Sequence, residues 1–335
     1  MSTFETFRGQ VPAWCPGCGN FPILKTFKDV MVALGLEPHQ ITLVSGIGQA
    51  AKFPHYTKGN TFNGLHGRAL PVATGIRLAN HAMPVIVTTG DGDCYGEGGN
   101  HLMAAMRRNV GVKLFVHDNQ VYGLTKGQAS PTTSEGTITK NMPFGVMSGQ
   151  FNPMALAVAL DCSFAARAFA GDTEHLKGIM KAAMEHNGFA LVDILQPCVS
   201  FNKVNTYEWY KQRVYHLEAG YDPTDRKEAF VKALEWGDRI PIGIIYPSLG
   251  KVELLLGPSG IEEVEQLLTK IERFADLPEY KTTVIGMLPK DLQAKASKIF
   301  DRKELEVFGS HELYKTEMAK LATTLLDAAI ERPLA

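Results

Sequence analysis

Six short runs of consecutive apolar residues mark the first three quarters of the chain: ITLVSG (41–46), PVIVTTG (84–90), VKLFVHD (112–118), SFAARAFA (163–170), FALVDIL (189–195) and PIGIIYP (241–247). Runs of this length, rich in β-branched residues and set off by turn-forming ones, predict buried strands. Between them the apolar positions change period. Ile23, Leu24, Phe27, Val30, Met31 and Leu34 recur at helical spacing within 21–35, and helices are also expected over 68–81 and 97–108. A further helix should be capped by Asp172 or Thr173 and end before Asn187 and Gly188. Strands alternating with helices in this way predict an α/β fold, a mainly parallel sheet flanked by helices.

Two segments break the pattern. From Asn119 to about Phe151 the chain is rich in Gly, Ser, Thr and Pro and has no clean period. A loop this long inside a compact domain is uncommon and usually functional. Beyond about 248 the character shifts to charged helical stretches near 260–275, 289–300 and 311–331. The expected organisation is therefore one domain over 1–247 and a mostly helical C-terminal extension over 248–335. No internal repeat is visible.

Composition narrows the function. The 335 residues are 45% hydrophobic and 21% charged, with a formal net charge of −1. Without a dense Lys/Arg run, nucleic acid is not an expected partner. No apolar stretch approaches the roughly 18 residues needed to span a membrane, so no membrane association is expected. The opening MSTFETFRGQ has no charged region followed by an apolar one, which makes a cytoplasmic setting the expectation. Five cysteines in a reducing compartment read as thiols or ligands rather than a disulfide framework.

The strongest local signal is GDGD at 90–93, directly after one predicted strand, followed by a helical stretch and a second strand that runs into Asn119. Asp91 and Asn119 then fall at the C-terminal ends of parallel strands, where ligands of open α/β sheets gather. A carboxylate, an amide oxygen and a backbone carbonyl just beyond suit Mg²⁺, which takes a few protein oxygens plus phosphate oxygens. Gly90 and Gly92 are expected to let the backbone approach phosphates closely. A helix starting near Glu97 would direct its amides into the same space. The spacing resembles the thiamine-diphosphate motif, GDG followed at a distance by Asn.

WCPGCGN (14–20), FNGLHGRALPVATGIRLAN, GDGDCYGEGGNHLMAAMRRN, DNQVYGLTKGQASPTT, DPTDRKEAF and RIPIGIIY together resemble the β subunit of 2-oxoacid:ferredoxin oxidoreductases, over roughly residues 10–247. The resemblance implies Mg²⁺ on Asp91, Asn119 and the main-chain oxygen of Val121. It implies thiamine diphosphate lined by Ile47, Gly48, Gln49, Ala50, His66, Gly92, Asp93, Gly123 and Leu124, with Leu124 supporting the bend of the cofactor. It also implies a [4Fe-4S] cluster on four thiolates: two in WCPGC, one in a GIGC turn and one in a late PC. Cys15, Cys18 and Cys198 fill three of these positions, but Gln49 stands at the GIGC position. Cys94 lies in the metal loop, and Cys162 reads as a small buried hydrophobe. Three outcomes stay open: a four-iron cluster with a non-cysteine group on the fourth iron, a three-iron or labile cluster, and zinc or no metal.

The family's reaction is the reversible oxidative decarboxylation of a 2-oxoacid, of pyruvate or 2-oxoglutarate type, to acyl-CoA and CO₂. Lys52 is the preferred partner for the substrate carboxylate, with Thr125 and Lys126 behind it. The resemblance places an essential glutamate on a separate α subunit, and ferredoxin as the external acceptor. Two other readings compete. One is a non-redox thiamine-diphosphate decarboxylase or carboligase subunit. The other is a zinc-stabilised regulatory subunit with a decayed cofactor site.

Overall fold

The computed structural model describes residues 2–248, so the expected C-terminal extension lies outside the described residues apart from Ser248. Eight strands form one sheet: β1 (Thr42–Ser45), β2 (Asn60–Asn63), β3 (Val85–Gly90), β4 (Val112–Asp118), β5 (Ala165–Phe169), β6 (Ala190–Leu195), β7 (Val214–His216) and β8 (Ile240–Tyr246). Their order is β2-β1-β3-β4-β6-β5-β8-β7. Each neighbouring pair is parallel except β5 and β8, which run antiparallel. The mainly parallel α/β fold expected from the pattern is the fold observed.

The α-helices are α1 (Asn20–Ala33), α2 (Phe53–Tyr56), α3 (Ala69–Ala79), α4 (Gly99–Arg108), α5 (Pro153–Ala159), α6 (Thr173–Glu185), α7 (Tyr207–Lys211) and α8 (Arg226–Leu234). Alternation along the strands feeds two cores. Val85, Val87, Leu114 and Val116 pack with residues of α3, α4, α5 and α8 on one face of the sheet. Ile86, Phe115, Val192 and Ile194 pack with Phe27 and Met31 of α1 and Ile179 and Met180 of α6 on the other. Helix α6 begins where expected, with the Asp172 side chain accepting the amide of His175.

Several boundaries differ from expectation. Residues Gly92–Glu97 wind as a π-helical turn directly after Asp91, and α4 starts only at Gly99 rather than near Glu97. β5 begins at Ala165, which leaves Cys162 in the preceding turn, fully buried, with its thiol on the carbonyl of Phe164 at 3.3 Å. No described helix or strand lies between 119 and 152, in line with the sequence pattern. β2, β7, α2, α5, α7 and α8 are not among the elements the pattern predicts. β2 has all four residues exposed, so its sequence carries no burial signal. No described helix is long and apolar enough to cross a membrane.

Candidate cofactor and metal site

Because β1, β3, β4 and β6 run parallel, their C-terminal ends lie along one edge of the sheet. That edge collects the turn after β1 (Ile47 to Ala50), the turn after β3 (Asp91 to Glu97), the turn after β4 (Asn119 to Val121) and the turn after β6 (Gln196 to Cys198).

Asp91 is 1% exposed. The Thr132 hydroxyl lies 2.7 Å from Asp91 Oδ2 and 2.8 Å from Asp118 Oδ1. Burial pushes the Asp91 carboxyl up to about 6, against the opposing effect of hydrogen bonds from Ser130, Thr132 and the Asn119 backbone. Burial also pushes Asp118 well up, with Asp193 and Asp91 adding to it. A hydroxyl has one proton, so Thr132 can donate to only one of these two carboxyls at a time. No cation pairs with Asp91 among the described residues.

Next to it, the Val121 amide donates to Asn119 Oδ1 at 3.1 Å, and Asn202 Nδ2 donates to the Asn119 carbonyl at 3.0 Å. Gln120 between them adopts a left-handed backbone (φ 58°), which few non-glycine residues do. A buried carboxylate without a counter-charge, an amide oxygen and a main-chain carbonyl make an oxygen-only set that fits Mg²⁺.

Asp93 is buried and bonded within the protein through both carboxylate oxygens. Its Oδ1 accepts the amides of Gly67 at 2.7 Å and Ile47 at 3.2 Å, and lies 2.8 Å from His66 Nδ1. Its Oδ2 accepts the Thr89 hydroxyl. The carboxylate therefore pins the β1 turn and the His66 loop to the β3 turn. A Cβ on Gly46 would sit 1.9 Å from Asp93 Oδ2, so only glycine fits there. With Nδ1 donating to Asp93, the remaining nitrogen of the half-exposed His66 ring is free for a ligand. Glu97 also reaches His66, at 3.4 Å, and the Tyr122 hydroxyl at 3.3 Å. Gly92 makes room for a side chain: a Cβ there would meet Tyr122 Cε1 at 2.3 Å.

Gly123 lies against Gln49, whose Cγ would be 3.9 Å from a Cβ at that position. Ala50 is buried, whereas Ile47 and Gly48 are half-buried in the same turn. Leu124 is 44% exposed, and Thr125 and Lys126 beside it are exposed as well. The Thr125 hydroxyl contacts the Gln128 side chain. Lys52 is half-buried, one turn after Gln49, with its amide on the Gln49 carbonyl at 3.3 Å.

The cysteines divide in two. Cys94 and Cys162 are buried, whereas Cys15 is exposed and Cys18 and Cys198 are half-buried. Burial pushes the Cys18 thiol up to about 11. The Cys18 amide donates to the Cys15 carbonyl at 3.0 Å and the Gly19 amide to the Pro197 carbonyl at 3.1 Å, which brings the segments that carry the three thiols together. Among the described residues, no group of three or more His, Cys, Asp or Glu side chains stands at the spacing of a single metal ion. Gln196 joins the two halves of the site. Its Oε1 accepts from Asn119 Nδ2 at 3.2 Å, and its Nε2 lies 3.7 Å from Cys18 Sγ. Gly19 is packed so closely on it that a Cβ would come within 2.8 Å of Gln196 Cγ. The Gln49 Oε1 is buried and has no hydrogen-bond partner.

Sequence reasoning does not single out Trp14, Thr89, Glu97, Thr132, Thr133 or Gln196. The hydroxyl-rich SPTT and the tryptophan beside CPGC are the available signals. Thr89 and Gln196 give none, since each sits at the end of an apolar run.

Comparison with known proteins gives the family. Residues 42–194 match the thiamine pyrophosphate enzyme family, C-terminal TPP binding domain. Residues 198–253 match the family that describes the C-terminal part of the pyruvate ferredoxin oxidoreductase β chain. The protein is 47% identical over 253 residues to a 2-oxoacid:ferredoxin oxidoreductase subunit β from Sulfolobus sp., covering 72% of this chain and 83% of that one. Identity is also 47% over 246 residues with the corresponding subunit from Saccharolobus solfataricus, covering 70% and 81%. A solved 2-oxoglutarate:ferredoxin oxidoreductase from Magnetococcus marinus, with 2-oxoglutarate, coenzyme A and succinyl-CoA bound, superposes with a TM-score of 0.74 at 31% identity. That match covers 86% of this chain and 96% of the other. The chain belongs to the β subunits of the 2-oxoacid:ferredoxin oxidoreductases.

Proposed function

We propose that this chain, with an α subunit, oxidatively decarboxylates a 2-oxoacid to acyl-CoA and CO₂ and passes the electrons through an iron–sulfur cluster to ferredoxin. The observation that carries this reading is the link made by Gln196, which touches both Asn119 of the oxygen-ligand set and Cys18 of the thiol group. A carboligase would need the first set but not the second.

Asp91, Asn119 and the Val121 carbonyl would hold Mg²⁺, and the diphosphate would lie against Gly48, Gln49, Ala50, Gly92 and the free nitrogen of His66. Ile47, Gly123 and Leu124 would supply the apolar wall. Thiamine diphosphate supplies, when bound, the electron sink for loss of CO₂. Asp93 serves that site indirectly, by fixing Ile47 and orienting His66. Lys52, Thr125 and Lys126 are at hand for the substrate carboxylate, and 2-oxoglutarate is favoured by the bound acid of the Magnetococcus relative. Cys15, Cys18 and Cys198 would hold a [4Fe-4S] cluster through three thiolates, with a non-cysteine ligand on the fourth iron. Such a cluster carries electrons one at a time. The wall of the site opposite the β4 turn would come from the α subunit.

The test is iron and acid-labile sulfide per αβ unit in protein purified without oxygen, with EPR spectra before and after adding 2-oxoglutarate and coenzyme A. Near four irons and a reduced-cluster signal on substrate support the reading. Bound thiamine diphosphate without iron overturns it in favour of the carboligase.

A further inference from the structure

We infer that the buried turn at residues 130–133 (SPTT) is the device that holds the three cation ligands in register, with Thr132 and Thr133 as positioning residues for the divalent metal. The inference rests on the proposed metal site and goes beyond its ligands.

All three hydroxyls of this turn are buried. Thr132 takes up Oδ2 of Asp91 at 2.7 Å and is anchored on its other side by Asp118 at 2.8 Å. This fixes the rotation of the Asp91 side chain and commits one of its two oxygens to the protein. Thr133 works on the other two ligands. Its hydroxyl donates to the Gln120 carbonyl at 2.7 Å and accepts the Ser130 amide at 2.8 Å. Gln120 is the left-handed residue that separates Asn119 from Val121. Its φ of 58° costs energy in a non-glycine residue, and the Thr133 bond to its carbonyl holds that conformation. The Ser130 hydroxyl lies 3.2 Å from that of Thr132 and 3.3 Å from that of Thr133, so it links the two clamps.

A single four-residue turn thus reaches Asp91 directly and Asn119 and Val121 through the peptide between them. Outer-shell partners of this kind typically contribute 10- to 100-fold in metal affinity. A valine in place of either threonine keeps the shape and removes the hydroxyl.

The experiment is titration of the metal-free αβ complex with Mn²⁺ at saturating thiamine diphosphate, following free Mn²⁺ by EPR. Wild type, Asp91→Asn, Thr132→Val, Thr132→Ser and Thr133→Val are compared. The expected result is Mn²⁺ affinity about 10- to 100-fold weaker for Thr132→Val. Thr132→Ser should return close to wild type, and excess Mn²⁺ should restore the turnover number of Thr132→Val. Thr133→Val leaves the hydroxyl between the carboxylates intact and tests the second clamp by itself, so the inference stays testable if Thr132→Val does not assemble. Wild-type Mn²⁺ affinity in both valine variants, with affinity lost in Asp91→Asn, overturns the inference. If wild type binds no Mn²⁺, or Asp91→Asn binds it equally well, the proposed metal site itself fails, and the inference with it.

Discussion

The indole N–H of Trp14 donates to the main-chain carbonyl of Gln49 at 2.9 Å, tying the segment that carries Cys15 and Cys18 to the turn after β1. The ring is held edge-on by Phe21 at 5.5 Å and Tyr56 at 4.8 Å. Trp14→Phe keeps most of that packing and removes the hydrogen bond, which is worth about 1 kcal/mol. The melting temperature should fall by about 2–4 °C. Iron of the proposed cluster should also leave faster under a chelator, because the cysteine segment is no longer fixed to Gln49. Equal melting temperatures in thermal unfolding would show that the bond carries no load.

Asp93→Asn addresses whether this residue acts on the cofactor or on the protein. The carboxylate accepts from Ile47, Gly67 and Thr89 and from His66. An amide nitrogen at either oxygen position would face a donor, leaving buried polar groups unpaired at about 1–3 kcal/mol each. The expected loss is therefore about 2–3 kcal/mol with no thiamine diphosphate or metal present, read from urea unfolding of the cofactor-free protein. Unchanged stability in that state would return Asp93 to a direct role on the cofactor.

These two residues show where the sequence is legible and where it is not. Strands β1, β3, β4 and β6 are readable because a parallel strand buried on both faces is a continuous apolar run between turn residues. The GDGD turn and Asn119 are readable because their spacing follows from one strand–helix–strand unit. Asp93 reads as a cofactor contact from its neighbours in sequence, but its bonds within the protein are not legible there. Its partners Ile47, Gly67 and Thr89 come from three other segments, and no local pattern encodes that meeting. Arg167 and Asp193 make the same point. They are fully buried, face each other across β5 and β6, and lie 3.6 Å apart. In sequence they are only single charges inside apolar runs. Helix α5 escapes the pattern because its PMALAVA follows a long aperiodic loop and is too short to show a helical period.

His117 predicts an acid-side loss of stability. It is fully buried on β4, bonded through Nδ1 to Asn20 Oδ1 at 2.7 Å, and burial lowers its pKa from 6.5 to about 3. The folded state thus keeps the ring neutral where the unfolded chain binds a proton. Its contribution is fully present above about pH 6.5 and is lost as pH falls toward 3, at about 1.4 kcal/mol per pH unit. Between pH 6.5 and 5 the loss from this group is about 2 kcal/mol. Urea midpoints at pH 7 and pH 5 should therefore drop further for wild type than for His117→Phe, whose cost at Asn20 does not depend on pH. Parallel pH dependence in the two proteins would contradict the buried neutral imidazole.

Gln49→Cys should convert the three-thiol group into a complete set. The backbone at position 49 is fixed by Trp14 through the Gln49 carbonyl, so a thiol introduced there starts from the same turn. The glutamine it replaces gives up little, since Oε1 is buried without a partner. Iron–sulfur clusters are ordinarily held by four thiolates, and an iron held by a weaker group is the first to be lost. The expected outcome is slower loss of iron and acid-labile sulfide from the αβ complex on exposure to air. Chemical analysis over a time course decides it. Identical decay for the variant and wild type would mean that position 49 does not face the cluster. Its amide oxygen would then belong to the Gly123 side of the turn, where its Cγ already packs.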